Sequence, residues 1–244
     1  MPTLVDIHCH ALFGVDDGAS DEATMREMLR MAYSDGTKAM CFTPHCSFEH
    51  TPSAEDVAKA FARAEAFCRE QLPEMKLFLG DELTYRFGST ELLTEKKCRT
   101  MADSRYVLVD FFMVPDVASI LRGIDHLQNA GYLPVVAHAE RYECFDGGIK
   151  NMARLVETGA LIQVNAASLF ASPFSRERRM ARRLLAEGWA DVVASDGHNT
   201  QTRPPLLGKA YRMVRNKYGE AYACRLFAEN PERILRGERL VTNR

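Results

Sequence analysis

Leu4-Val5-Asp6-Ile7-His8-Cys9-His10 runs from an apolar segment directly into two histidines spaced by one residue. A similar ending recurs along the chain, at Thr43-Pro44-His45, Gly80-Asp81-Glu82, Val109-Asp110, Ala137-His138 and Ser195-Asp196-Gly197-His198. Almost every one of these segments follows a β-branched or aliphatic run of the kind that forms a buried strand. In a strand, side chains at i and i+2 point the same way, so His8 and His10 share one face and Cys9 takes the other. Asp196 and His198 repeat that spacing. The C-terminal face of a parallel barrel is where active sites are built. A chain that places His, Asp and Glu at successive strand C-termini therefore reads as a metal-dependent barrel enzyme.

Working outward, seven strands are expected, over Leu4–His8, Lys38–Thr43, Lys76–Asp81, Tyr106–Phe111, Leu133–His138, Ala160–Asn165 and Ala190–Ser195. Helical patterns fill the gaps between them. Ser20 or Asp21 is placed to cap a helix whose Met25, Met28, Leu29 and Ala32 share a face, ending at Gly36. Ser53-Ala54-Glu55-Asp56 matches a capping box and opens a second helix. Further helices are expected near 116–130, 149–158, 176–187, 205–217 and 219–229, with Gly131, Gly159 and Gly188 each standing where a helix C-cap precedes a strand. Seven β-then-α units in order predict an α/β fold with a closed or nearly closed parallel barrel, with a doubly wound open sheet as the alternative. The chain is expected to form a single domain over residues 1–244.

Composition narrows the function classes. A net charge of -2 and a pI near 6.4 give no electrostatic basis for binding nucleic acid or an anionic membrane. No secretory signal is visible, and the longest apolar stretch, Tyr106 to Val114, is interrupted by Asp110 and too short to span a bilayer. The seven cysteines are scattered with no CxxC pair, which favours reduced thiols in a cytoplasmic protein.

The candidate ligands are Asp17, Glu82, Asp110 and Asp196 with His8, His10, His45, His138 and His198, five of the seven histidines in the chain. These exceed what one tetrahedral zinc needs and suit two or three divalent ions sharing a bridging carboxylate. Asp16 and Asp17 belong to Gly14-Val15-Asp16-Asp17-Gly18, a turn sequence that gains meaning beside the histidine pair. His50 and His126 are expected to lie outside the set. Arg141 follows His138 by three residues, and Arg203 lies in the loop after His198. Arginines beside clustered metals point to a phosphoryl group, which they clamp through charge-assisted hydrogen bonds. Cysteine-based phosphatase chemistry is excluded. It requires Arg six residues after the nucleophile, and the seven cysteines have Val15, Ser47, Pro52, Glu74, Ser104, Lys150 and Asn230 there. A non-catalytic metal-binding regulator is the alternative outside enzymes. Arg176, Arg178, Arg179, Arg182 and Arg183 crowd one helix, read as a solvated face or a dock for an acidic partner.

These motifs, with Ala137-His138-Ala139-Glu140-Arg141-Tyr142, Val164-Asn165, Ser195-Asp196-Gly197-His198-Asn199 and Arg203-Pro204-Pro205, resemble the polymerase-and-histidinol-phosphatase (PHP) superfamily. More closely, they resemble its bacterial protein-tyrosine phosphatases of the CpsB/CapC family. The resemblance implies a distorted (β/α)₇ barrel carrying three divalent ions, usually manganese, with iron, zinc or magnesium as alternatives. Carried over by position, His8, His10, Glu82 and Asp196 hold one ion. Glu82 bridges to a second held by Asp110 and His138, while Asp17, His45 and His198 hold the third. Arg141 and Arg203 take the phosphate, and Asp196 or His198 is placed to protonate the leaving oxygen. The implied activity is hydrolysis of phosphotyrosine by metal-activated water, opposing a tyrosine kinase in capsule or exopolysaccharide control. Histidinol-phosphate phosphatase is the alternative within the superfamily. Two positions depart from a clear match: Asp110 stands where the family usually has Glu, and Asp81 competes with Glu82 for the bridging role.

Overall fold

The computed structural model describes residues 2–240 apart from 113, 115 and 146–148. Its strands are β1 (Leu4–Cys9), β2 (Thr37–Phe42), β3 (His45–Cys46), β4 (Lys76–Leu79), β5 (Glu82–Thr84), β6 (Tyr106–Asp110), β7 (Leu133–Val136), β8 (Leu161–Asn165) and β9 (Val192–Ala194). They pair in the orders β1-β2-β4 and β3-β5-β6-β7-β8-β9, every pairing parallel.

Two of the seven expected strands are each followed, just past their expected end, by a second short strand. Thr43-Pro44 separates β2 from β3, and Pro44 has no N–H to give a ladder. Gly80-Asp81 separates β4 from β5. Hydrogen bonds carry the pairing across both breaks, from Gly80 N–H to Phe42 O (2.9 Å) and from Glu82 N–H to Pro44 O (3.0 Å). Counted this way, seven strand positions follow one another. The last meets the first through Asp196 N–H to His8 O (2.9 Å), His10 N–H to Gly197 O (2.8 Å) and one isolated bridge between Cys9 and Gly197. That seam replaces a regular ladder, and the result is a distorted barrel of parallel strands.

The helices are α1 (Glu22–Ser34), α2 (Ala54–Gln71), α3 (Thr90–Thr94), α4 (Val117–Asn129), α5 (Ile149–Glu157), α6 (Arg176–Ala186), α7 (Gly208–Tyr218), α8 (Glu220–Cys224) and α9 (Asn230–Leu235), with a π-helical turn over Arg225–Glu229 joining the last two. Asp21 caps α1 by accepting from Thr24 N–H, and Ser53 caps α2 by accepting from Asp56 N–H. Gly131, Gly159 and Gly188 stand at φ +90°, +76° and +69° between a helix and the next strand, a conformation that costs glycine little. The helix α3 was not foreseen; five residues carry too little periodicity to register.

Buried side chains from β1, β6, β7, β8 and β9, including Val5, Ile7, Leu108, Val135, Leu161 and Val192, form one cluster with Ile234 and Leu235 of α9. Strands that are not sheet neighbours can share a cluster only across the interior of the ring. A second cluster packs Cys9, Met40 and Phe42 against α1 and α2. A third covers the outer side of β6 to β9 with α4 to α7. The core thus fills the lower barrel and leaves the strand C-termini to polar residues.

Asp6 ties the seam together. It is fully buried, and its Oδ1 accepts from Ser195 N–H (3.0 Å) and His8 N–H (3.3 Å), joining the strand that opens the ring to the segment that closes it. Replacing Asp6 with alanine strands the Ser195 N–H inside the protein. Asp6→Ala is expected to lower unfolding free energy by about 2 kcal/mol, the scale of a buried hydrogen bond to a carboxylate. Urea denaturation of the metal-free protein measures it, and an unchanged midpoint would contradict this role.

Candidate metal centre

All nine candidate ligands converge at the C-terminal end of the barrel. His8 Nε2 lies 3.1 Å from His10 Nε2, 3.4 Å from Glu82 Oε1 and 3.4 Å from Asp196 Oδ1. His138 Nε2 lies 2.9 Å from Glu82 Oε1, and His45 Nδ1 lies 2.9 Å from Glu82 Oε2. Asp17 Oδ1 reaches His45 Nε2 at 3.3 Å and His198 Nε2 at 3.5 Å. Four overlapping groups have ligand atoms within 4.8 Å of one another: His8/His10/Glu82, His8/His138/Asp196, Glu82/Asp110/His138 and His10/Asp17/His45/His198. Glu82/Asp110/His138 has the membership that the sequence resemblance implied for one ion, and Asp17, His45 and His198 are joined by His10, whereas Asp196 groups with His8 and His138 and not with His10 and Glu82.

Local structure explains the convergence. His8 and His10 turn inward while Cys9 packs outside with α1 and α2, as strand alternation requires. His45 and Glu82 are register partners in the β3–β5 ladder. Asp196 and His198 lie beyond β9, so strand alternation does not place them. Instead Asp196 sits at φ +53°, and His138, just past β7, at φ +33°. A non-glycine residue in this left-handed region costs about 1–3 kcal/mol and persists only where its surroundings hold it. Here the strain turns two side chains back over the barrel mouth.

Directional hydrogen bonds fix which ring nitrogens face inward. The Asp196 carboxylate can only accept, so Asn165 presents its amide nitrogen to Oδ2 (2.7 Å) and its oxygen to Gln163 Nε2 (2.8 Å). Gln163 therefore turns its oxygen toward His138 N–H (2.8 Å) and His8 Nδ1 (3.0 Å). His8 donates through Nδ1, which leaves the Nε2 lone pair pointing at Glu82 and Asp196. On the other side, Asp16 Oδ2 accepts from His10 Nδ1 (2.7 Å) and from His45 N–H (3.1 Å). His198 Nδ1 donates to Asp196 O (3.0 Å), which likewise frees Nε2. Outer-shell partners of this kind set the orientation of metal-binding histidines.

Gln163 and the orienting role of Asp16 escaped the sequence reading. The available signal was Gln163-Val164-Asn165, a third polar pair at i and i+2 on a strand end. Glu140 also went unassigned; it is fully buried and accepts from Asn165 N–H (3.0 Å) and Ser168 Oγ (2.6 Å), bracing β8.

Asp81 and Glu82 differ in direction. Asp81 points away and is held by Arg99, through its N–H (2.6 Å) and guanidinium (2.9 Å), whereas Glu82 faces the histidines. Asp110 Oδ1 accepts from Phe112 N–H (2.8 Å) and Tyr142 OH (3.0 Å), with His138 Nδ1 4.0 Å away. Arg203 donates to Asp196 Oδ2 at 2.8 Å and Arg141 to the same oxygen at 3.5 Å, so both guanidinium groups sit at the mouth of the cluster. His50 contacts Val15 O and His126 contacts Tyr85 OH, both outside the set as expected.

Burial opposes charge on every group here, and partners decide the outcome. His10 loses to burial but gains more from Asp16 and Glu82, which push its pKa up to about 10. For His138 burial is again outweighed, chiefly by Glu82, giving about 9. Glu82 is held well below the usual carboxylate range because the histidines around it overcome its desolvation. Burial and the charge on His10 bring His198 down to about 4. Burial raises Asp110 despite His138 nearby.

The donor set fits divalent cations. His138 Nδ1 and His198 Nε2 are buried with no hydrogen-bond partner among the described residues, and unpartnered ring nitrogens in a carboxylate cluster match what a cation would take. Of the thiols, Cys9 and Cys41 are pushed by burial far above the range in which thiolates form, and Cys46 and Cys98 lie apart from this cluster, grouped with Asp81.

Known proteins share this architecture and length. The family described as capsular polysaccharide synthesis, CpsB/CapC, matches residues 4–236. The tyrosine-protein phosphatase CpsB of Streptococcus pneumoniae is 32% identical over 240 residues, covering 95% of this chain and 98% of that protein. The tyrosine-protein phosphatase YwqE of Bacillus subtilis (strain 168) is 32% identical over 242 residues, covering 96% and 92%. A solved structure from the pair YwqE of B. subtilis and CpsB of S. pneumoniae, described as unique metal-dependent tyrosine phosphatases, aligns with TM-score 0.87 at 28% identity. That alignment covers 98% of this chain and 96% of that one. With the match running from β1 into the turn after α9, this chain belongs to the CpsB/CapC family.

Proposed function

We propose that this chain is a metal-dependent protein-tyrosine phosphatase, acting on phosphotyrosine proteins of a capsule or exopolysaccharide system in the cytoplasm. A bacterial tyrosine kinase tail is the substrate that reading favours. The observation that carries it is the convergence of five histidines and four carboxylates beneath Arg141 and Arg203. Membership of the family and the names of its curated relatives support the choice of phosphotyrosine. No helix among the described residues is long and apolar enough to cross a membrane.

In this reading His8, His10, Glu82 and Asp196 hold one ion, Glu82, Asp110 and His138 a second, and Asp17, His45 and His198 a third, with manganese the proposed metal. Such ions, when bound, lower the pKa of water and polarise phosphoryl oxygens. The protein's own part is orientation and charge. Gln163 and Asp16 keep the His8 and His10 lone pairs aimed inward. Arg203 and Arg141, each about 40% exposed, lean over Asp196 where a phosphoryl group would enter from solvent. Their guanidinium groups stabilise charge that builds on its non-bridging oxygens.

Asp196 and His198 serve better as ligands than as acids. Asp196 is held below the usual carboxylate range by the histidines around it despite burial, and His198 presents a bare lone pair at Nε2. Neither carries a proton at neutral pH on the atom that faces the cluster. A tyrosine phenolate leaves with little help, which suits a site without a dedicated acid.

Coordination needs unprotonated imidazoles, and the metal-free values of His10 and His138 keep both protonated at pH 7.5. Adding manganese to the metal-free protein at that pH is expected to release protons into weakly buffered solution. Apparent affinity should rise with pH up to about 9–10, where these groups deprotonate unaided. Uptake without proton release would contradict the ligand set.

The activity is tested by hydrolysis of phosphotyrosine peptide, phosphoserine peptide and histidinol phosphate with manganese-loaded protein. The expected order places phosphotyrosine first by at least about tenfold in kcat/KM, a gap of about 1.4 kcal/mol in transition-state binding. Preference for histidinol phosphate would overturn the substrate class, and no turnover of any ester would overturn the enzyme.

A further inference from the structure

The exposed large apolar side chains among the described residues are Phe48, Phe87, Phe112, Phe170, Phe174 and Leu206. Each lies in a loop that follows a strand C-terminus: after β3, β5, β6, β8 (both Phe170 and Phe174) and β9. They are therefore gathered on the face that carries the metal centre, and the opposite end of the barrel has none among the described residues. Phe87 and Phe112 are 87% and 64% exposed. Apolar side chains grouped on one face mark a surface that meets another molecule.

Two cavities give this rim a shape. One, of about 410 Å³, is lined by Phe112, Val114, Arg141 and Arg176 among others, so it opens beside the guanidinium assigned to phosphate. The other, of about 350 Å³, is lined by Tyr85, Arg86, Phe87, Val114, Arg122 and His126 among others. Val114 lines both, so the two cavities adjoin at that residue, with Arg141 lining only the first, and together they are taken as a groove with a near and a far station. The far station is firmly built. Tyr85 OH meets His126 Nδ1 at 3.1 Å, and the Phe87 ring stands edge-on to His126 with centroids 5.8 Å apart. Its lining includes Arg122 and Arg86, the latter paired with Glu49 outside the cavity, whereas the carboxylates Glu143 and Glu177 line the near station, so Arg122 is the main source of positive charge for an acidic side chain.

We propose that this groove binds the substrate polypeptide on one side of its phosphotyrosine, and that the far station takes an acidic side chain there. Arg122 supplies most of the complementary charge, and Phe87 with Tyr85 supplies an apolar wall against which the peptide backbone lies. The near station, beside Phe112, takes the residue next to the phosphotyrosine. This deepens the phosphatase reading and rests on it for the phosphotyrosine alone. It gives the enzyme a basis for choosing among phosphotyrosine proteins that the metal centre, which sees only the phosphoryl group, lacks.

Binding separates this from catalysis. Two fluorescent peptides carrying a non-hydrolysable difluorophosphonate analogue of phosphotyrosine, one flanked by Asp and Glu and one by Ala, are titrated into manganese-loaded protein by anisotropy. The acidic peptide is expected to bind about tenfold more tightly, a preference that Arg122→Ala reduces to about twofold or less, while Phe87→Ala weakens both peptides several-fold and leaves the preference in place. Both substitutions lie at the surface, and turnover of p-nitrophenyl phosphate should stay within about twofold of the unsubstituted protein. Equal binding of the two peptides, a preference that survives Arg122→Ala, or binding of both peptides unchanged by Phe87→Ala would overturn the groove. Failure of the unsubstituted protein to hydrolyse p-nitrophenyl phosphate would instead overturn the phosphatase reading, while a charge preference lost in Arg122→Ala would still support the groove.

Discussion

Glu82 is a carboxylate with no exposed surface, surrounded by the rings of His8, His10, His45 and His138 at 2.9–3.4 Å. Removing a carboxylate from water costs several kcal/mol unless positive charge meets it inside the protein. Much of the upper barrel answers that requirement. The break at Thr43-Pro44 ends one ladder and starts another in which His45 stands beside Glu82. The break at Gly80-Asp81 lets Asp81 turn out to Arg99 while its neighbour turns in. His138 accepts left-handed backbone to bring its ring against Glu82. Without metal, protons on the histidines balance the charge; with metal, the same geometry presents ligands.

The centre also depends on the seam. His8 and Asp196 come from opposite ends of the ring and meet because Asp196 N–H bonds His8 O and Asp6 bonds Ser195 N–H. Gln163 and Asn165 add a crosslink between β8, His138 and Asp196, so three strand ends are locked by one line of directed hydrogen bonds. A site built from seven strand positions would otherwise be free to breathe at its joint. Three of the five arginines of α6 add to this support, while Arg183 is exposed and pairs with Glu187. Arg176, Arg178 and Arg179 donate to Arg141 O, Ala171 O and Phe174 O, holding the loops beside the site.

Much of this was legible in the sequence, and the reason is periodicity. Buried parallel strands read as apolar runs, and a polar residue at each end stands out against them, so seven strand positions and most of the nine candidate ligands could be named from order and spacing, the choice of Glu82 resting on the family resemblance. Residue type alone could not separate Asp81 from Glu82, since adjacent residues on a strand end differ only in direction, and the direction is set by Arg99 from eighteen residues away. Nor could it show Gln163, a neutral amide whose importance lies in contacts 155 residues distant in sequence. The groove beside Phe87 was invisible for a related reason. Exposed phenylalanines look like core residues until the loops that carry them are seen to share one face.

Anomalous diffraction from crystals grown with manganese tests the metal centre most directly. Three peaks are predicted at the top of the barrel: one among His8, His10, Glu82 and Asp196, one among Glu82, Asp110 and His138, and one among Asp17, His45 and His198. Peaks elsewhere, or a barrel mouth whose histidines face one another with no ion between them, would contradict it.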